Sequence, residues 1–77
     1  MPLVTRKALV MRINRNYRKN DENYRFRTTT KRGIHYLGYY FIEDTSDGSL
    51  AAWHCWPEKE AQELGLLRPD EEVDPNS

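Results

Sequence analysis

The sequence has little cysteine, no long apolar run and no excess of charge of either sign. Cys55 is the only cysteine among 77 residues, so an internal disulfide cannot form. Small domains of oxidising compartments usually carry several disulfides, and we therefore expect a cytoplasmic protein. No segment approaches the about 20 apolar residues that cross a bilayer, and no apolar signal-peptide core follows the first residues. We expect neither a membrane partner nor a signal peptide.

Motifs that bind nucleotides or build a catalytic centre are also lacking. No GxGxxG, GxxxxGK or GxSxG pattern occurs. The possible metal ligands His35, His54 and Cys55 have no second cysteine and no HxxxH spacing beside them. On a strand, His54 and Cys55 would point to opposite faces, which excludes a Cys–His pair and favours a structural Cys55. We expect no enzymatic activity, no metal and no cofactor.

The balanced charge conceals a strong segregation along the chain. Twelve Lys and Arg residues balance twelve Asp and Glu residues. Residues 1–32 carry ten of the cations and two of the acids, a net charge of +8, whereas residues 33–77 carry two cations and ten acids, a net charge of −8. Such asymmetry is typical of a charged interaction surface, but the two halves could equally neutralise each other in the fold.

Four segments have the alternation or the β-branched and aromatic content of strands. They are residues 7–13, 24–30, 34–43 and 50–56. In the first, Leu9, Met11 and Ile13 would share the buried face. Residues 14–23 are polar and rich in asparagine, which predicts a loop.

The tripeptide Lys31-Arg32-Gly33 predicts a hairpin loop with a left-handed Gly33. Thr28 would then lie opposite Tyr36, and Phe26 opposite Gly38. One face of this hairpin would carry Arg25, Arg27, His35, Leu37, Tyr39 and Phe41. The other, more apolar face would carry Tyr24, Phe26, Tyr36, Tyr40 and Ile42, and is the better core candidate.

The C-terminal third predicts one short helix and a tail. Pro57 suits the first turn of a helix, the acids Glu58 and Glu60 favour its positive end, and Gly65 suits its termination. Residues 70–77 contain four acids and are expected to form a flexible tail after a single domain of residues 1–69. The predicted fold is α+β, a small antiparallel sheet of about four strands with one short C-terminal helix. An SH3-like small β-barrel is the alternative.

Two functions fit this pattern. The first is a small non-enzymatic protein-interaction module (an adaptor, an inhibitor or a subunit of a larger assembly) that binds a protein partner or a second copy of itself. The second is a nucleic-acid-binding module that uses the Arg- and Tyr-rich N-terminal strands and loop. Zero net charge favours the first, because nucleic-acid binders are usually basic. The candidate binding residues are Arg15, Arg18, Lys19, Arg25, Arg27, His35, Tyr39 and Trp53.

Overall fold

Three helices and two small sheets make up the described part of the chain, residues 2–76, in this computed structural model. The elements are β1 (Leu3–Val4), α1 (Arg6–Lys19), β2 (Tyr24–Thr28), α2 (Ile34–Leu37), β3 (Tyr40–Asp44), β4 (Ser49–Trp53), α3 (Pro57–Glu63) and β5 (Glu72–Val73). A short 3-10 turn, Lys31–Gly33, precedes α2. Strands β2, β3 and β4 form an antiparallel sheet in that order, and β1 pairs with β5 in parallel. The predicted α+β class is confirmed, and residues 2–76 form no closed barrel.

The first predicted strand, residues 7–13, is wrong because these residues lie in α1. Leu9, Ile13 and Tyr17 recur every four residues and are at most 3% exposed, so the helical period prevails over the period of two. Met11, which the strand pattern assigned to the buried face, is 56% exposed. The predicted loop is also wrong for residues 14–19, which complete the helix.

Capping explains where α1 begins and ends. The side-chain oxygen of Thr5 accepts a hydrogen bond from the backbone N–H of Ala8 at 3.1 Å, which satisfies one unpaired donor of the first turn. Arg18 and Lys19 stand in the last turn, where the helix dipole favours positive charge. Arg18 and Lys19, which suggested a basic loop, therefore lie at the C-terminal end of α1.

The second predicted strand is confirmed at β2, but its hairpin with the third is not. Thr28 lies opposite Tyr40 and Phe26 opposite Ile42, instead of Tyr36 and Gly38. Residues 34–37 form α2 rather than a strand. The left-handed glycine is Gly38, with φ of 73°, and its N–H donates to the carbonyl of Ile34 to end that helix.

The last predicted strand is β4, which is shorter than expected. It ends at Trp53 because His54 has a φ of 54°, a left-handed conformation that an extended strand does not allow. The C-terminal helix begins at Pro57 as predicted, and it is the last of three helices within residues 2–76. The sheet accordingly has three strands rather than about four.

The hydrophobic core lies between α1 and one face of the three-stranded sheet. Phe26, which is 1% exposed, and Ile42, which is 9% exposed, supply the sheet side. Helix α1 packs against β2 and α3, and Ala61 of α3 is fully buried in the same cluster. Because Phe26 and Ile42 face α1, their strand neighbours point away from the core.

The side chain of Asn14 closes the middle of the free edge of β2. The backbone N–H of Phe26 donates to Asn14 Oδ1 at 2.7 Å, and Asn14 Nδ2 donates to the carbonyl of Phe26 at 3.0 Å. Strand β2 has a neighbouring strand on one side only. The carboxamide therefore occupies the position where the peptide group of another strand would bind.

Replacing Asn14 with alanine should lower the free energy of unfolding by about 1–3 kcal/mol, because the backbone N–H and the carbonyl of Phe26 each lose a hydrogen-bond partner. Asn16→Ala is the matched control. It makes the same helix-propensity change in α1, but the Asn16 side chain accepts a hydrogen bond from the exposed side chain of Asn20 at 3.4 Å. Urea unfolding measures both variants. Equal losses would contradict the role of Asn14.

The acidic C-terminal segment is attached to α1 through Arg12. Its guanidinium donates to both oxygens of Glu71 at 2.8 Å and to the carbonyl of Leu66 at 3.1 Å. The N–H of Arg68 donates to the same carboxylate at 3.0 Å. The Glu71 side chain is only 9% exposed in this arrangement. This bidentate pair joins the basic half of the chain to the acidic half.

The segment beyond Glu71 continues into the small parallel sheet. Glu72 pairs with Leu3 and Val73 with Val4. The flexible tail expected for residues 70–77 remains a prediction, and these contacts oppose its mobility at residues 71–73. Ser77 lies outside the described residues.

The Arg12–Glu71 pair should make part of the stability dependent on acid pH. Hydrogen bonds from Arg12 and from the Arg68 backbone lower the pKa of Glu71 from 4.5 to about 2. A lowered pKa in the folded state stabilises the fold above about pH 4.5, and this stabilisation is lost as the pH falls through about 2. As the pH falls between these two values, the Tm should therefore decrease less for Glu71→Gln than for the original chain. Glu72→Gln, a change at the exposed neighbour, is the control and should leave the decrease unchanged.

Candidate interaction surface

The face of the sheet that points away from α1 carries two rows of side chains. In the first row, Arg27 lies opposite Phe41, and Phe41 lies opposite Trp53. In the second row, Arg25 lies opposite Glu43, which lies opposite Leu50. These six residues form the open face of the sheet. They are exposed or partly exposed, with Trp53 at 56% and Leu50 at 43%.

A bulge in β4 places Leu50 and Trp53 on the same face. Residues three apart on a regular strand point to opposite faces. The register shifts between Ile42 and Glu43, so that one extra residue, Ala51, stands on β4. Bulges redirect side chains in this way and often lie beside functional sites. The two largest apolar side chains of β4 therefore share one face, Trp53 opposite Phe41 and Leu50 opposite Glu43.

The charges on the open face are only weakly paired. Arg27 Nη1 lies 3.7 Å from Glu43 Oε1, and both side chains are partly exposed. Such a pair contributes little to stability in water. Arg25 has no carboxylate within 4 Å among residues 2–76. Both guanidinium groups are therefore available to a partner at little cost.

A groove of about 500 Å³ runs along β2 beside the open face. Arg25, Arg27, Leu37 and Phe41 contribute to its wall, together with the threonines that follow β2. The hydroxyl oxygen of Thr29 is buried and has no hydrogen-bond partner in the described chain. The groove thus combines apolar rings and aliphatic groups with a few polar atoms, a composition that suits binding.

The two ends of the open face differ in charge. The turn between β3 and β4 carries Asp44 and Asp47, and Asp44 lies opposite Tyr24 at the start of β2. The opposite end carries Lys31 and Arg32, which have no carboxylate within 4 Å in the described part of the chain. An acidic and a basic end on one face suit a partner with a similar arrangement better than a uniform polyanion.

The predicted binding residues do not form one surface. Arg25, Arg27 and Trp53 lie on the open face. The remaining five are exposed elsewhere: Arg15, Arg18 and Lys19 on α1, His35 on α2, and Tyr39 before β3. The three α1 cations belong to the helix layer, so the sheet separates them from Arg25 and Arg27. Whether any of them binds a partner remains a prediction.

Tyr39 belongs to a second exposed aromatic cluster, around Trp56. The Trp56 ring centroid lies 5.7 Å from that of Tyr39 and 6.0 Å from that of Tyr40. Arg6 lies over the indole, 5.5 Å from its centroid, and donates to Glu58 at 3.0–3.1 Å. Hydrogen bonding to Glu58 raises the pKa of Arg6. These contacts tie Arg6 of α1 to the start of α3.

His54 and Cys55 lie beyond the end of β4, so the strand alternation that predicted opposite faces does not apply to them. Both line a cavity of about 240 Å³ together with Gly38 and Trp56. Burial, followed by the charge of Glu60, raises the pKa of the Cys55 thiol, which keeps it protonated and weakly nucleophilic. The structural role of Cys55 therefore remains the better prediction. No group of three or more His, Cys, Asp and Glu side chains within residues 2–76 is arranged to hold a metal ion.

A search for a membrane-spanning element gives a negative result. Among the described residues, no helix combines the length and apolarity required to cross a bilayer.

Comparisons with family models, with curated proteins and with solved structures found no match to this chain. Its function is therefore argued from the geometry of the open face.

The close approach of Gly38 to His54 yields a stability prediction. A Cβ atom at position 38 would lie 2.6 Å from His54 Nδ1 and 3.0 Å from the His54 Cα, and the φ of 73° disfavours any side chain. We expect Gly38→Ala to cost about 2–4 kcal/mol, through backbone strain together with steric overlap.

Gly48→Ala is the matched control. Gly48 has a φ of 74°, and apart from its chain neighbours no atom lies within 4 Å of the position that a Cβ atom would take. It should cost about 1 kcal/mol, because only the conformational strain applies. Chemical denaturation compares the two variants, and an equal loss would show that the contact with His54 relaxes without cost.

Proposed function

We propose that this chain is a small non-enzymatic protein-interaction module whose open face binds a protein partner. The observation that carries the proposal is the bulge in β4, which places Trp53 opposite Phe41 and Leu50 opposite Glu43 on the same outer face of the sheet. A monomer that used this face only as a boundary with water would carry polar side chains there.

The balance of buried and exposed apolar groups supports this proposal. Within residues 2–76, seven hydrophobic residues are buried in the core, whereas eight large hydrophobic residues are exposed, of which Leu50 and Trp53 lie on the open face. The accessible surface is 5748 Å², compared with about 4900 Å² expected for a folded monomer of this mass. The excess is about the area that one partner buries in a standard protein–protein interface.

The composition of the open face is that of a protein-binding hot spot. Tryptophan and arginine are enriched among residues that dominate binding energy, and polar groups commonly surround them. Here Trp53 and Phe41 lie in the same row as Arg27, with Arg25 and Glu43 in the next row. A partner could cover the rings while it pairs with the two guanidinium groups.

Internal pairing reduces the case for a polyanion as the partner. Arg6 is bound by Glu58 and Arg12 by Glu71, so two cations of the basic half serve the fold. The open face itself contains Glu43, and the adjoining turn contains Asp44 and Asp47. Phosphates along a nucleic-acid strand would meet repulsion at this end.

A second candidate function, binding of single-stranded nucleic acid, is favoured by one observation. Arg25, Lys31 and Arg32 have no carboxylate within 4 Å in the described residues, and the exposed Trp53 ring lies on the same face of the sheet as Arg25. Arginine and an exposed ring together can hold a phosphate and stack a base.

Trp53→Ser tests the proposal. If a protein binds the open face, this variant should weaken capture of that protein by about 30-fold, because the loss of a central tryptophan costs about 2 kcal/mol or more. Tyr36→Ser is the matched control, since Tyr36 is 80% exposed on α2, outside the open face. Quantitative pull-down from nuclease-treated extract measures both variants.

Gel shifts with single-stranded and duplex oligonucleotides separate the two functions. A shift by the original chain near physiological salt that Arg25→Ala weakens would favour nucleic acid. Equal capture of the protein partner by Trp53→Ser and Tyr36→Ser would contradict a role of the open face.

A further inference from the structure

We infer that this chain also binds a second copy of itself, and that β4 pairs antiparallel with β4 of the copy to join two three-stranded sheets into one of six strands. The inference goes beyond the proposed function, because edge pairing lengthens the open face and leaves its rings exposed to a further partner.

The two edges of the sheet are treated differently. The β2 edge is closed by Asn14 and carries the charged residues Arg25 and Arg27, both of which discourage pairing with another strand. The β4 edge has the sequence Ser-Leu-Ala-Ala-Trp, with no charge and no proline. Within residues 2–76, β4 has β3 on one side and no strand on the other, so it is the edge that carries neither a charge nor a side-chain closure like that of Asn14.

The hydrogen-bond pattern identifies the groups at this edge. Thr29 N–H donates to the carbonyl of Tyr39, and Thr45 N–H donates to the carbonyl of Asn23, so the odd-numbered residues of β3 direct their peptide groups toward β2. Phe41 is one of them. Trp53, which lies opposite Phe41, therefore directs its own N–H and C=O away from β3, toward the outer edge.

An antiparallel register about a two-fold axis suits the side chains of β4. With Leu50 opposite Trp53 of the copy, residues that share the open face in one chain meet residues of the open face in the other. Each row of the joined sheet then runs from Phe41 through Trp53 to Leu50 of the copy, where it meets Glu43 of the copy. The bulge at Ala51 is what allows this match, since it brings Leu50 and Trp53 to one face.

Charge also favours a second copy. An uncharged strand meets no like charge when it pairs with itself, so self-association is not opposed at the interface. The antiparallel arrangement brings the end with Asp44 and Asp47 toward the end of the copy that carries His54. An unrelated partner would usually be selected by charges on the strand, and β4 offers none.

The oligomeric state of the full chain tests the inference. Sedimentation equilibrium should show the mass rising with concentration from 9.2 kDa to twice that value. Hydrogen exchange should show that the backbone amide of Trp53 exchanges more slowly at high than at low concentration. Ala51→Lys should raise the dissociation constant by at least about tenfold, because like charges meet across the two-fold axis. Thr28→Lys on the closed β2 edge is the control and should leave the dissociation constant unchanged.

A mixture of variants guards against misfolding. Ala51→Lys and Ala51→Glu should each be mainly monomeric, and an equimolar mixture should associate again. A monomeric mass for the original chain up to about 1 mM would overturn the inference, while capture of a different protein that depends on Trp53 would leave the proposed function intact. Association that survives Ala51→Lys but not Trp53→Ser would replace edge pairing by face-to-face packing. Partner capture that Trp53→Ser leaves unchanged would overturn the proposed function, whereas self-association that Ala51→Lys leaves unchanged would overturn edge pairing.

Discussion

The two hydrogen bonds between the carboxamide of Asn14 and the backbone of Phe26 fix the position of α1 on the sheet. The other long-range contacts of the helix follow from that position. With α1 placed, Leu9 and Ile13 cover Phe26, and Arg12 reaches Glu71 to hold the C-terminal segment. The same bonds close the middle of one sheet edge. The β2 edge is thereby less able than the β4 edge to pair with another strand.

The segregated charge of the chain serves the fold before it serves a ligand. Arg6 and Arg12 bind Glu58 and Glu71, which lie 52 and 59 residues away, so the strongest ion pairs connect the basic half to the acidic half. Each pair is a geometrically specific contact of a guanidinium fork with a carboxylate. A +8 and a −8 half can therefore indicate long-range folding information, and the cations outside these pairs are the ones relevant to a partner.

Local patterns predicted β2, most of β3 and β4, and the start of α3, whereas α1, α2 and the strand register depended on contacts between distant residues. Leu9 and Ile13 fit both a period of two and a period near four, and only the burial of Tyr17 decides between them. The sequence predicted a positive φ at Gly33. The structure has it at Gly38, where His54 approaches the glycine closely. The open face was predictable for Arg25, Arg27 and Phe41. The alignment of Leu50 with Trp53 was not, because a bulge leaves no local signal in the sequence.

One face of the sheet is uncovered within residues 2–76, because the helical layer of α1 and α3 covers Phe26 and Ile42 on the other face. Burying Trp53 and Leu50 as well would require another layer. Polar residues at these positions would cost a monomer nothing and would improve its solubility. The bulge instead adds a second large apolar group to the face, at the expense of regular pairing with β3. A departure from regular geometry that increases exposed apolar area supports the proposed interface, since burial against a partner would recover the hydrophobic free energy that the isolated chain leaves in water.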